Sequence, residues 1–280
     1  MGFRYSNASP RQHLLSLSIL GACAAVGSTA WAAEMWLLLV QGRSPQVLVT
    51  GGLMVLHTLL FWTVALAFHY VDLNDSPRWI AQHRIQRERR KHPPFWKTVR
   101  LLALNQFVLL PVLLAIFTAL LVAVRGWEVD SQLPSLGRFL LEIGGQAICA
   151  PIVFYTGHRF LHQRWWMKHV HRVHHEFRTT TALASEYAHP VEFVIGNFLA
   201  MVTGAFLLAP HLVSMYVFAW ISVLTILVHH SGYALPWASW SVPHDWHHYR
   251  MSELFGTTGF LDGLLGTDEV FRTLQDGDER

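Results

Sequence analysis

The sequence predicts an all-α integral membrane helical bundle of about four spans plus a re-entrant or double-pass hairpin, with a histidine-rich cap on one side. Three observations predict it. Of the 280 residues, 52% are hydrophobic and only 14% charged, where an ordinary soluble domain carries roughly 25% charged residues. The apolar residues gather into long uncharged runs without the alternation of a half-buried strand. Thirteen of the 18 histidines fall between His158 and His248, next to those runs.

Residues 14–33 form the first uncharged run and residues 44–71 the second; each suffices for a hydrocarbon core of about 30 Å. A short turn near "QGRSPQ" joins them. The N-terminus also carries signal-peptide features, with Arg4, Arg11, an apolar centre and the small-residue pattern Ala30-Trp31-Ala32, but hydrophobicity resumes at once in "MWLLLV", which favours a retained span. "MGFRYS" fits a weak myristoylation pattern, which is set aside. Residues 101–124, with Pro111 inside, and 139–157, interrupted by Glu142, make the third and fourth runs. Between the second and third, residues 74–100 carry eight Lys/Arg against Asp75 and Glu88, so the positive-inside rule places that segment in the cytosol. The basic balance is thereby read as affinity for an anionic membrane surface and not for nucleic acid.

Residues 193–228 are 36 further uncharged residues broken by Pro210 and His211, long enough for two passes or a re-entrant hairpin. Residues 231–280 carry eight Asp/Glu and three Arg and are read as an acidic cap. The expected division is 1–138, N-terminal spans and basic loop, and 139–280, a catalytic domain. Cys23 and Cys149 lie in apolar runs and form neither a disulfide framework nor a Cys-x-x-Cys motif.

The cap carries the chemistry. "HRVHH" places His171, His174 and His175 at the spacing that "HDWHH" repeats with His244, His247 and His248; chance would supply one such triplet roughly 0.07 times in a chain of this composition. On a helix, positions i, i+3 and i+4 share a face, so each triplet can aim its imidazoles together, and His158 with His162 adds an i, i+4 pair. Neutral imidazole is a good metal ligand, and eight or more suit two metal ions with four or five each. Imidazole accommodates Zn, Fe, Cu or Ni. A site at the mouth of an apolar bundle would meet lipid, and oxidising an unactivated C–H bond requires a redox metal with O₂, which favours iron. Among the other histidines, His57, His69, His83, His92 and His211 are read as interface residues, and His169 and His229 as non-ligands. Glu176, Glu186, Glu192 and Asp245 are candidates to accept the far ring N–H of a ligating histidine. Trp165, Trp166 and Trp246 are read as interface anchors.

"HRFLH", "HRVHHE", "SEYAHPVE", "HSGYALP", "HDWHH" and "GFLDGLLGTD" occur in the order and approximate spacing of the sterol desaturase/fatty acid hydroxylase superfamily, and the chain most resembles its C-4 methylsterol oxidase branch and the fatty acid hydroxylase domain-containing proteins over about residues 139–272. The resemblance implies a non-haem di-iron monooxygenase of the endoplasmic reticulum with a cytosolic centre. It would oxidise a sterol or other lipid with O₂, using electrons from a donor such as cytochrome b5 with its reductase. It also implies ligands at His158, His162, His171, His174, His175, His244, His247 and His248, and it adds His189, before Pro190, and His230, before Ser-Gly-Tyr. Two departures bear on the substrate: Pro243 stands where many sterol-oxidising relatives have histidine, and Leu254-Phe255-Gly256 replaces a frequent Asn-Tyr-Gly. The chain has no Gly-x-Gly-x-x-Gly fingerprint, so its reducing equivalents would come from another protein. Lipid desaturation or fatty acid hydroxylation by the same centre, a sterol-binding scaffold and a divalent-metal transporter are the rival readings; the transporter is disfavoured because the histidine boxes sit outside the runs.

Overall fold

The computed structural model describes residues 29–88 and 92–277, with residues 21, 26 and 27. Most of the first expected span, the signal-like stretch and the myristoylation pattern lie outside them. The described chain opens with α1 (Ala30–Val40), followed by five helices long and apolar enough to cross a membrane: α2 (Val47–Asn74), α3 (Phe95–Arg125), α4 (Leu136–Leu161), α5 (Pro190–Leu208) and α6 (Leu212–His229). In a bilayer every backbone polar group must be satisfied within the segment, which leaves the helix as the form for such runs. Large apolar side chains point outward all round the bundle, Leu59 at 65% exposure and Leu141 at 78% among them. A water-soluble bundle would bury such residues, whereas lipid solvates them.

Helix ends obey local chemistry. The Ser135 hydroxyl caps α4 by accepting from Arg138 N at 3.3 Å, and Gly126 ends α3 at φ +60. The imidazole of His211 caps α6, its Nδ1 accepting from Val213 N at 3.1 Å. Helix α5 packs along α4 through Gly204, where a methyl group would stand 3.0 Å from the Cα of Gln146.

The 36-residue run thus forms two helices that traverse the bundle, not a re-entrant loop. At the turn between them Trp127 donates to Pro210 O at 2.8 Å and His211 Nε2 to Gln132 O at 3.0 Å. This end also holds the 126–135 loop and Trp36, whose indole donates to Asp130 O at 3.0 Å. At the opposite end Asp72 accepts from Arg84 at 3.0 Å and from Tyr233 at 2.8 Å. There the basic segment after α2 meets the chain leaving α6, together with α7 (Ser241–Arg250), α8 (Phe260–Leu265) and α9 (Glu269–Gly277). Every histidine of the expected ligand set stands at this end or just inside it.

Candidate metal centre

Four pieces of chain deliver the imidazoles. The last turn of α4 carries His158, and His162 is its C-cap; the fourth-run boundary expected at residue 157 falls short, so His158 belongs to the helix itself. After a break at Gln163 the chain winds as a π turn over Met167–His171 and a 3₁₀ turn over His174–Glu176. His230 caps the C-terminus of α6, and α7 holds His244, His247 and His248 on one regular helix.

The nitrogens gather into two groups, each within 4.8 Å: His158, His162, His171, His175 and His247 in one, and His174, His230, His244 and His248 in the other. In the first group the Nε2 atoms of His162 and His171 are 2.9 Å apart, those of His171 and His175 3.0 Å, and those of His162 and His247 3.1 Å. In the second, His230 and His244 are 2.8 Å apart and His244 and His248 3.2 Å. The triplets are therefore divided between the groups. His171 and His175 go one way and His174 the other; His244 and His248 face His174 while His247 crosses to His171. The expectation that each triplet converges on one point is corrected by this partition. A side chain at i+3 leaves a helix on the other side of the i, i+4 line, and in the first triplet the change from π to 3₁₀ winding turns His174 further away.

The far nitrogens determine what the near ones can do. Nδ1 donates to a backbone carbonyl in His158 (Phe255 O, 2.7 Å), His174 (Tyr187 O, 3.2 Å), His230 (Ile226 O, 2.9 Å), His247 (Glu253 O, 2.7 Å) and His248 (Phe177 O, 2.8 Å). A carbonyl only accepts, so Nδ1 holds the proton and Nε2 of the neutral ring is a bare lone pair. The Nε2 atoms of His174 and His230 lie 3.3 Å apart and neither can donate to the other. Protonation does not relieve this. Burial pushes His174 and His247 down to about 4 and His162 to about 2. His171, His175, His230, His244 and His248 are held well below the ordinary range, by burial first and then by neighbouring imidazoles. Converging lone pairs on neutral rings suit a cation between them. Two nitrogens each about 2.1 Å from a common ion lie roughly 3.0–3.4 Å apart at right-angled to tetrahedral geometry, close to the spacings found. An all-imidazole donor set accommodates iron as well as zinc or copper.

The carboxylates part company with expectation. Only Glu192 meets a clustered histidine, Oε1 lying 2.8 Å from His171 Nδ1. Glu176 instead accepts from Lys97 and from the Tyr187 hydroxyl at 2.7 Å each. Asp245 accepts from Thr180 Oγ1 at 2.6 Å and Gln86 Nε2 at 2.9 Å, and Glu186 from His57 at 2.8 Å and Gln106 at 2.7 Å. These three brace the loops that carry the histidines, and backbone carbonyls do most of the orienting that carboxylates were expected to do.

His189 is the one expected ligand outside both groups. Its Nδ1 caps α5 by accepting from Val191 N at 3.2 Å, which commits that lone pair and explains why histidine precedes Pro190. His57, read from sequence as an interface residue, is buried inside the bundle on Glu186, whereas His211 lies at the turn between α5 and α6 with its ring bonded to the backbone of Gln132 and Val213. His229 is buried beside His244, ring centroids 6.0 Å apart, without joining either group. Trp246 is not an interface anchor; it packs in the cap core and donates to Glu253 at 3.1 Å. Residues missed from sequence include Asn105 and Gln106, polar groups in α3 that were unmarked within an apolar run, and Asp262, whose carboxylate accepts from Phe255 N at 2.7 Å, Gly256 N at 2.9 Å and Thr267 Oγ1 at 2.8 Å.

A cavity of about 250 Å³ runs from these histidines into the bundle, walled mainly by apolar side chains of α2, α3, α4, α5 and α6. His158, His171, His174, His230 and His244 stand at its inner end. Among the lining residues, Ala147 of α4 is exposed and Ser222 and Thr225 of α6 are half-exposed.

Comparison with known proteins returns the same region. The fatty acid hydroxylase family model matches residues 145–267. The chain is 32% identical over 253 residues to methylsterol monooxygenase 2-2 of Arabidopsis thaliana, covering 86% of this chain and 93% of that protein. It is 29% identical over 250 residues to fatty acid hydroxylase domain-containing protein 2 of Macaca fascicularis, covering 86% and 74%. It is also 33% identical over 215 residues to very-long-chain aldehyde decarbonylase GL1-11 of Oryza sativa subsp. indica, covering 71% and 79%. No solved structure matches the chain.

Proposed function

The chain belongs to the fatty acid hydroxylase family, and we propose that it is a membrane-bound, non-haem di-iron monooxygenase that hydroxylates a lipid, with a C-4 methylsterol as the favoured substrate. The observation that carries the reading is the pair of all-histidine donor sets, five and four imidazoles, at the inner end of an apolar cavity. His158, His162, His171, His175 and His247 would hold one iron and His174, His230, His244 and His248 the other; His189 is left to its helix cap. Iron held there supplies the redox chemistry by which a C–H bond, O₂, two electrons and two protons become C–OH and water.

The protein's own residues supply the rest. Backbone carbonyls fix the ring tautomers, Glu192 orients His171, and burial keeps the imidazoles neutral and available. Apolar walls exclude bulk water and admit the substrate sideways from the bilayer. With no dinucleotide motif in the chain, electrons come from a separate donor such as cytochrome b5 with its reductase. The charge bias of residues 74–100 puts that donor and the histidine end on the cytosolic side, and a membrane of the endoplasmic reticulum is the proposed location. Similarity to an aldehyde decarbonylase keeps long-chain fatty acyl substrates as the second reading.

Purified full-length protein, loaded with iron and given a reducing donor, tests this in an oxygen electrode with 4-methylsterols, fatty acids and long-chain aldehydes. Sterol-dependent O₂ uptake with a hydroxymethyl product is expected. Iron-loaded protein that consumes no O₂ with any lipid would overturn the enzymatic reading, and uptake on fatty acyl lipids alone would replace the sterol.

A further inference from the structure

His57 lies in the middle of α2, 17 residues before Asn74 and so about 25 Å along the helix from its end. A titratable side chain at that depth is costly and points to function when it faces a bundle interior. His57 is 6% exposed and its partner Glu186 2%, and both border the cavity. Glu186 reaches His57 because its turn, Ala182–Glu186, packs between α2 and α6. Asn105 Nδ2 donates to Glu186 O at 3.2 Å and to Ala188 O at 2.9 Å, and Gln106 Nε2 donates to Glu186 Oε2 at 2.7 Å. Irregular backbone at this depth is tolerated where protein satisfies it or where it lines a cavity, and both hold here.

The network occupies both carboxylate oxygens of Glu186 and the Nε2 of His57, which is 2.8 Å from Oε1. The other ring nitrogen, Nδ1, is buried and has no partner among the described residues. An unpaired nitrogen of this kind carries a desolvation penalty that a ligand can remove. Nδ1 accepts when Nε2 holds the proton, and donates when the ring is charged against Glu186. A hydroxyl group pairs with it in either state. A lipid carboxylate is disfavoured, because it would bring a second negative charge beside Glu186 in a low-dielectric setting, and the charge of a phosphate head group is disfavoured for the same reason.

We propose that His57, positioned by Glu186 and Gln106, anchors the hydroxyl group of a neutral lipid alcohol in the cavity and selects such lipids over fatty acids and their esters. The proposal rests on the reading of this cavity as the substrate site. His57 is then a specificity-determining residue for the oxidation, set apart from both imidazole donor groups.

The test is equilibrium binding to full-length protein in detergent, with cholesterol and 1-octadecanol each compared with its own methyl ether, and stearic acid as the anionic control. Wild-type protein should prefer at least one alcohol over its ether by roughly tenfold or more, as expected for a hydrogen bond into an otherwise unpaired buried site. His57→Phe should reduce that ratio to about threefold or less. His57→Gln supplies a second variant in which the amide can keep the Glu186 bond while the Nδ1 position is lost, and the same reduction is expected. Equal binding of alcohols and ethers by wild type, a preserved ratio in both variants, stearic acid binding as tightly as octadecanol, or no binding of either alcohol would each overturn the anchor. Metal content of the same samples separates this from the parent reading: about two irons per chain without hydroxyl discrimination sinks the anchor alone, and discrimination in protein that cannot be loaded with metal sinks the di-iron centre alone.

Discussion

Removing Asp262 should loosen the metal centre from outside it. Asp262 is fully buried and touches no histidine, yet its carboxylate gathers Phe255 N, Gly256 N and Thr267 Oγ1. The loop so fastened presents Phe255 O to His158 and Glu253 O to His247, both at 2.7 Å. The approach is close enough that a methyl group on Gly256 would stand 2.5 Å from Asp262 Oδ2, which accounts for glycine there. In Asp262→Ala the buried Phe255 N–H and the half-buried Gly256 N–H lose their acceptor, at about 1–3 kcal/mol for a fully buried group and so at most roughly 2–6 kcal/mol for the pair; Thr267 retains the Tyr155 hydroxyl at 3.1 Å. Asp262→Asn keeps one acceptor and turns an amide donor toward Gly256 N, so about half that penalty is expected. Two imidazoles of the five-membered group then lose their fixed tautomer, and changes of that kind lower metal affinity about 10–100-fold. Chelator competition on iron-loaded protein, with thermal unfolding in the same detergent, should rank wild type above Asn and Asn above Ala in both readouts. An Ala variant with wild-type metal affinity would refute the claim that this loop frames the centre.

Two further outcomes follow from other parts of the fold. Burial lowers the pKa of His211, and its Nδ1 must stay unprotonated to cap α6; the unfolded chain titrates near 6.5. Its contribution is therefore whole above that pH and is lost as pH falls below it towards the depressed folded value. Thermal unfolding at about pH 5.5 and 7.5 should show a smaller acid shift for His211→Asn, which keeps a cap acceptor, than for wild type; equal shifts would contradict the assignment. A tag after Arg280 should be reachable from the same side as a tag within residues 74–100, because both segments meet at the histidine end; accessibility from opposite sides would contradict the two-ended arrangement.

Spans and ligand candidates were legible because each rests on local chemistry. Uncharged runs cannot be satisfied otherwise in a bilayer, and the spacing of His244, His247 and His248 survives as one helical turn in α7. The crosswise division of the triplets was not legible, since it depends on the π winding at Met167–His171 and the 3₁₀ turn after it, for which the residues give no local signal. His189 carries two local readings at once. Histidine before proline matches a family position, yet the same pair makes a good helix start, and the cap took its lone pair. The partners of Glu176, Glu186 and Asp245 come from segments 65 to 159 residues away, apart from the bond of Glu176 to Tyr187, and spacing along the chain cannot report them. His57 looked interfacial because its neighbours are uniformly apolar; only the inserted turn at Ala182–Glu186 makes it part of a polar network.

The central claim is that adjacent histidines serve different metal ions, and metal stoichiometry tests it most directly. Full-length protein reconstituted with iron and cleared of loose metal should hold about two ions per chain by elemental analysis, the number that two separate donor sets of this size imply. His247→Ala removes a donor from the five-histidine group and His248→Ala from the four-histidine group, so each should weaken a different ion and leave the other bound, with distinct spectroscopic remnants. One ion or none in the wild-type protein, or identical remnants in the two variants, would contradict the account.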